Sequence, residues 1–280
     1  MKPETPRRRT PVSLDTDRNF DDLAPRFARN VYGGLKGEIR LSVLRRDFAE
    51  CLLQAPRGTV LRILDAGGGQ GQFSLPFAAD GHELTLCDIS EEMLQLARDA
   101  AETAGVAGIR YVHGSVQDLA REVREGREAP YDLLICHSVL EWVADQAGLL
   151  GLLSDLVLPG GHLSLSFYNR HGLIMKNLLR GRRPPILDGA FKPSAGSLTP
   201  TRPLDPAWVL QTLGQGPWKL LCHSGIRVFH DFLLTPEGRA MPQDRLLALE
   251  LELSRQEPYR SLGRYQHVLL KRLLRPGQTE

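Results

Sequence analysis

The chain is poor in the residues that hold metals and cross-links. Its four cysteines, Cys51, Cys87, Cys136 and Cys222, are far apart, and no C-x-x-C occurs. That spacing argues against a zinc ribbon, a redox dithiol or a disulfide framework. Cys87 and Cys136 lie in apolar runs and read as buried reduced thiols. The eight histidines show no zinc-type spacing, so no metal is expected. No segment approaches the ~20 consecutive apolar residues of a membrane span. The opening MKPETPRRRTPV is basic, but no apolar stretch follows it, so it does not make a secretory signal. Residues 1–16 read as a flexible tail, and a cytoplasmic location with no membrane partner is expected. No internal repeat is found.

What is present suits a packed domain. Hydrophobic residues make up 42% of the 280 and charged residues 24%, which does not fit disorder. The near-neutral total hides an asymmetry. Residues 48–167 hold seven Lys and Arg against 17 Asp and Glu, while both flanks are basic. The stretch RHGLIMKNLLRGRRPP (170–185) has five Lys and Arg and no acid. Positive charge gathered on one part of a surface suggests a polyanionic partner; a solvated face is the other reading.

Short apolar runs alternate with helical patterns from residue 60 to 168. VLRILDA, HELTLCDIS, IRYVHG, YDLLICHS and HLSLSFYN read as five strands, with helices between them. Ser90 is a helix N-cap, and Gly81 and Gly105 are helix stops. This alternation predicts a parallel sheet of βαβ units. Residues 39–54 predict a helix before the sheet. Residues 181–206, with six prolines, predict a loop or insertion. WKLLCHSGIRVFHDF reads as a strand or bent pair, and YQHVLLKRL as a closing edge strand. The expected division is a 17–54 cap, a 55–168 core, a 169–205 basic insertion and a 206–280 completion of the sheet.

ILDAGGGQGQF (63–73) holds the densest glycine cluster. Glycine costs backbone entropy, so a cluster after a strand implies a ligand close to the backbone. The dinucleotide fingerprint G-x-G-x-x-G fails in every frame, which disfavours a dehydrogenase. D-x-G-x-G-x-G fits, as Asp65, Gly67, Gly69 and Gly71.

That pattern resembles motif I of class I S-adenosylmethionine-dependent methyltransferases. The resemblance implies a Rossmann-like α/β fold, with a mostly parallel seven-stranded sheet, helices on both faces and an N-terminal helical cap. It also implies cofactor contacts. Asp65 would meet the cofactor ammonium, and Gly67, Gly68 and Gly69 would let the loop backbone approach the cofactor. Asp88 would hold the ribose hydroxyls. Ser115, Val116, Gln117 and Asp118 would frame adenine, and His137 would lie beside the sulfonium.

Beyond the core, DRNFDDLAPRFARNVYGGLKGEIRL, HSVLEWVADQ, LPGGHLSLSFYNRHGLIMKN, GIRVFHDF and RQEPYRSLGRYQHV are similar to the bacterial tRNA 5-carboxymethoxyuridine methyltransferase family. The likeness covers roughly residues 17 to 270 and is weakest over 181–204. It implies methyl-ester formation on the wobble uridine of tRNA, recognised in its anticodon stem-loop, and adds Arg40 as a cofactor contact. A carboxylate of pKa about 4 is already ionised at neutral pH. Such chemistry needs positioning and no general base. Candidate positioning residues are Tyr32, Tyr168 and Arg227, with Lys36, Asn169 and Tyr265 behind them. His230 and Asp231, neighbours on an expected strand, would face opposite ways. Arg170, Lys176, Arg180, Arg182 and Arg183 are the expected RNA contacts, and Phe20, Tyr168 or Tyr259 could stack an extruded base. Two rivals stay open: a methyltransferase for a small carboxylate or phenolic metabolite, and a noncatalytic RNA-binding protein that keeps the cofactor fold.

Overall fold

In the computed structural model, residues 16–24, 33–52, 59–188, 198–200 and 202–274 are described. Tyr32 and most of the 1–16 tail lie outside them. Seven strands form one sheet: β1 Arg62–Ala66, β2 Glu83–Asp88, β3 Arg110–His113, β4 Tyr131–His137, β5 Val157–Tyr168, β6 Trp218–Ile226 and β7 Tyr265–Arg272. Their order is β3-β2-β1-β4-β5-β7-β6. The first five strands pair in parallel. β7 runs antiparallel to both of its neighbours, so the sheet is mixed but mostly parallel.

This order corrects one expectation. YQHVLLKRL is not an edge strand: β7 lies inside the sheet, and β6 is the edge. Its burial shows why, since Gln266 through Leu270 are buried in succession. A strand covered on both faces needs apolar or paired side chains at every position.

Helices cover both faces. On one side α4 (Val116–Arg124), α5 (Gln146–Leu156) and α7 (Pro206–Gly214) bury Leu119, Leu153 and Val209 against Leu134, Leu163 and Val268. On the other side α1 (Gly34–Cys51), α2 (Leu75–Ala79) and α3 (Glu91–Thr103) are joined by α9 (Gln243–Leu253). There Val43, Leu44 and Phe48 of α1 pack with Ile135, Ile226 and Leu269. Helix α1 is thus a layer of the fold against the sheet's far half.

Local chemistry starts these helices where the sequence places caps. The Ser90 hydroxyl accepts from the Met93 N–H, and Gly105 turns left-handed (φ +66°) two residues past α3. Asp145 caps α5 and Asp205 caps α7. Asn169 caps α6 (Arg170–Leu178). α8 (Pro236–Arg239) and α10 (Tyr259–Leu262) are single turns.

The chain runs outward through β1, β2 and β3, then returns to β4 on the other side of β1. That reversal opens a crevice at the carboxyl ends of β1 and β4, the place where open α/β sheets bind ligands.

Candidate cofactor site and adjoining basic cluster

The glycine loop forms the floor of the crevice. Gly67, Gly69 and Gly71 have φ of +65°, +57° and +67°, a region costly for other residues. A Cβ on Gly67 would collide with the Val139 side chain; one on Gly68 would lie 2.6 Å from Asp65 Cγ, and one on Gly69 2.8 Å from Met93 Cε. The bare backbone forms the floor of an open cleft. Gly67, Gly68, Gly69, Asp88, Val116, Gln117 and His137 line it, as their positions in the sequence suggest.

The other residues named from the sequence, and Asp88, make the following contacts. Asp65 is buried beneath the loop, where its Oδ2 accepts from Ser74 Oγ at 2.5 Å. Burial pushes its pKa up to about 7. Ser115 and Asp118 are spent on the start of α4: the Ser115 hydroxyl accepts from the Asp118 N–H and donates to the Asp118 carboxylate at 2.6 Å. Arg40 is buried, and its Nη1 donates to Ser138 Oγ at 3.3 Å. Asp88 accepts from the Gly69 and Ser90 amides.

Sequence reasoning missed most of the cleft's outer wall. Asp17, Arg18 and Phe20 line it together with Ile89, Met93, Trp142 and Val143. Asp17 accepts from the Ala144 amide and from Gln117 Nε2. Phe20 meets Trp142 edge to face at 4.8 Å. These residues of the N-terminal segment therefore fasten across the β3 and β4 ends. The signal was faint, because a short polar stretch carries no periodicity.

A cluster of aromatic and basic side chains lies beside the cleft. Arg40 links the two, with its guanidinium carbon 4.1 Å from the Tyr265 ring centre. Tyr265 meets Tyr168 edge to face at 5.1 Å, and Arg264 lies 4.8 Å over the Tyr168 ring. Arg227 adopts φ +59°; among the described residues, Ser138 is the other non-glycine with positive φ. Such backbone geometry tends to persist where surrounding structure holds it for function.

Charge in this cluster is positive. Burial alone would raise the Asp231 carboxyl, but the hydrogen bond from His230 and the charges of Arg227 and Arg264 hold it well below its ordinary range. Lys176 is half-buried; burial and then Arg264 bring it down to about 8. Among the described residues, Tyr168 Oη, Arg227 Nε and Arg264 Nη1 are buried without a hydrogen-bond partner. A neutral phenol and a guanidinium N–H are donors.

Some expected groups are elsewhere. Lys36 is exposed on α1. Asn169 donates to the Ser261 and Gly263 carbonyls while it caps α6. His230 and Asp231 lie in a 3-10 turn, not on a strand, so their side chains do meet, at 3.3 Å. Arg180, Arg182 and Arg183 are exposed after α6, and Arg170 reaches Asp205 at 3.9 Å.

Comparison with known proteins fits this geometry. The family described as methyltransferase domain matches residues 64–165. The tRNA 5-carboxymethoxyuridine methyltransferase of Escherichia coli K12 is 42% identical over 258 residues, covering 91% of this chain and 97% of the relative. The chain belongs to the tRNA 5-carboxymethoxyuridine methyltransferase family of class I S-adenosylmethionine-dependent enzymes. A Yersinia pestis ubiquinone biosynthesis O-methyltransferase is 31% identical over 172 residues, covering 61% of this chain and 67% of that protein. In fold, the chain resembles the magnesium protoporphyrin IX methyltransferase of Synechocystis with bound S-adenosylhomocysteine, at TM-score 0.58 and 18% identity, covering 90% of this chain and 95% of that one.

The cleft of this tRNA 5-carboxymethoxyuridine methyltransferase family member suits S-adenosylmethionine. The glycine loop packs so closely on Val139, Asp65 and Met93 that no Cβ fits at Gly67, Gly68 or Gly69, which leaves bare backbone along the cleft. A carboxylate stands at the end of β2, and a buried imidazole nitrogen of His137 lacks a partner among the described residues. No described helix is long and apolar enough to cross a membrane.

Proposed function

We propose that the chain methylates the carboxylate of 5-carboxymethoxyuridine at the tRNA wobble position, giving a methyl ester in the cytoplasm. The name of its E. coli relative supports the substrate. The observation that carries the chemistry is the set of buried donors, Tyr168 Oη, Arg227 Nε and Arg264 Nη1, linked through Tyr265 and Arg40 to the cofactor cleft. Donors without an acceptor suit an anion.

Bound S-adenosylmethionine supplies a methyl group on cationic sulfur, and a carboxylate oxygen takes it with no proton transfer. The cluster's task is therefore alignment. Tyr168 and Arg264 would hold one face of the substrate carboxylate, and Arg227 would fix its tilt. Asp231 limits the positive charge, so the nucleophile is bound without being fully quenched. Lys176, half-buried near Arg264 and Asp231, would contribute charge beside this cluster or toward RNA. Arg180, Arg182 and Arg183 would meet tRNA phosphates outside the cluster, which positions RNA without reading its sequence.

The test uses methyl-labelled S-adenosylmethionine and tRNA from cells able and unable to make 5-carboxymethoxyuridine. Label released by mild alkali, and found only on tRNA with the acid, is expected. Label absent from both tRNAs while a small carboxylate is methylated would replace this reading.

A further inference from the structure

A line of hydrogen bonds runs along one face of the sheet, from helix α1 to the cofactor cleft. Asp47 Oδ2 meets His267 Nδ1 at 2.7 Å. His267 Nε2 meets Ser164 Oγ at 2.9 Å, and Ser164 Oγ meets His137 Nε2 at 2.7 Å. Asp47, Ser164 and His267 are fully buried, and His137 is 8% exposed. The register explains the alignment. Ser164 pairs with Ile135 and Leu269, while His137 and His267 both pair with Ser166. Side chains two apart on a strand share a face, so these groups fall on one diagonal across β4, β5 and β7. Phe48 stacks over His267 at 6.4 Å and Phe73 lies 5.1 Å from His137. Water is kept from the line by these rings.

Counting hydrogens sets its direction. An ionised carboxylate only accepts, so His267 Nδ1 must carry a hydrogen. Two guanidiniums, from Arg46 and Arg255, already pair with Asp47, so that end calls for no second hydrogen on His267. With the hydrogen on Nδ1 alone, its Nε2 is an acceptor. Ser164 has one hydrogen and gives it there, so its oxygen accepts from His137 Nε2–H. The other nitrogen of His137, Nδ1, is left with a lone pair and, among the described residues, no partner.

We infer that Asp47, His267 and Ser164 are positioning residues that lock His137, in the wall of the cofactor cleft, in the Nε2–H tautomer, so that its Nδ1 keeps a lone pair and not an N–H. The inference rests on His137 belonging to the cofactor wall. It does not depend on tRNA or on the methyl acceptor. The line matters because a wrong tautomer would place N–H against a positive ligand, whereas the set tautomer attracts it.

Asp47→Asn tests this sharply. Asp47 Oδ1 accepts only from donors: Arg46 Nη2 at 2.8 Å, Arg255 Nη2 at 2.5 Å and Ser224 Oγ at 3.0 Å. The asparagine oxygen must stay there, which turns its NH₂ toward His267. His267 then accepts at Nδ1 and donates from Nε2, Ser164 turns over, and His137 becomes Nδ1–H.

Long-range ¹H–¹⁵N spectra of histidine-labelled protein, without cofactor or tRNA, read the tautomers. The wild type is expected to show His137 as Nε2–H, and Asp47→Asn to show the reverse, with S-adenosylmethionine binding weakened about tenfold. An Nδ1–H tautomer in the wild type overturns the inference, and so does an unchanged His137 in a folded Asp47→Asn. Ser164→Ala serves if that variant does not fold: His137 should lose its single tautomer, and a pure Nε2–H form there also overturns the inference. A failed tRNA assay with these spectra intact would instead count against the proposed substrate.

Discussion

Arg40 touches both Ser138 and Tyr265: its Nη1 donates to Ser138 Oγ on the cleft wall, and its guanidinium lies 4.1 Å over the Tyr265 ring in the adjoining basic cluster. A planar cation is needed for the second contact and a fork of donors for the first. Arg40→Lys keeps the charge but loses both geometries. Its kcat/KM is expected to fall by about tenfold or more, with the fold intact by circular dichroism. An unchanged kcat/KM would mean that Arg40 only packs.

Tyr168 is buried with its hydroxyl unpaired among the described residues. Tyr168→Phe removes a group that gives nothing to the empty fold. Thermal stability should hold or rise, while kcat/KM for tRNA drops by about tenfold, the worth of one hydrogen bond to a charged group. Paired measurements of melting temperature and kinetics check this; a loss of stability with unchanged kinetics would remove Tyr168 from the substrate site.

Two glycines should respond differently to alanine. At Gly68 the new Cβ would sit 2.6 Å from Asp65 Cγ under the loop, so cofactor affinity should fall at least about tenfold and stability by about 1–3 kcal/mol. At Gly81 nothing lies within 4 Å, and only φ +90° is unfavourable. That change should cost about 1–2 kcal/mol and leave cofactor affinity alone. Calorimetric titration of both variants separates the two causes.

Asp65 and Glu141 give the cofactor-free protein a pH signature. Burial raises each carboxyl to about 7. A raised native pKa means that the folded state holds the proton more tightly than the unfolded chain. Their favourable contribution is complete below pH about 4 and is lost as pH rises toward 7. Asp65→Asn should therefore gain stability relative to wild type across that window. Melting temperatures that shift in parallel at pH 4 and pH 7 would show that Asp65 is ionised in the fold.

Charge reversal at Arg180, Arg182 and Arg183 should weaken tRNA binding and cut its logarithmic salt slope by about 2. Cofactor affinity should stay the same, since none of the three lines the cleft. Binding measured at several salt concentrations decides; an unchanged slope moves the RNA interface elsewhere.

The cofactor half of the site was legible before the fold was known. Gly67, Gly68 and Gly69 follow a strand, Asp88 ends the next, and His137 ends another; a βαβ repeat brings strand ends together whatever the loops contain. Asp65 and Ser115 show the limit of that reading, because an acid or a hydroxyl beside a ligand loop serves equally well as an internal tie or a helix cap. The basic cluster beside the cleft was half legible: Tyr168, Arg227 and Tyr265 stood out, but Arg264 and the half-burial of Lys176 did not.

What the amino-acid order determined by itself is the parallel core, its ligand loop and the family, since periodicity, caps and glycine spacing act over short stretches. The placement of β7 inside the sheet, the closure of Asp17 and Phe20 over the cleft, and the line from Asp47 to His137 were decided only by tertiary structure. Asp47 and His267 are 220 residues apart in sequence. No local rule couples such a pair; burial does, because a carboxylate and an imidazole removed from water must satisfy each other.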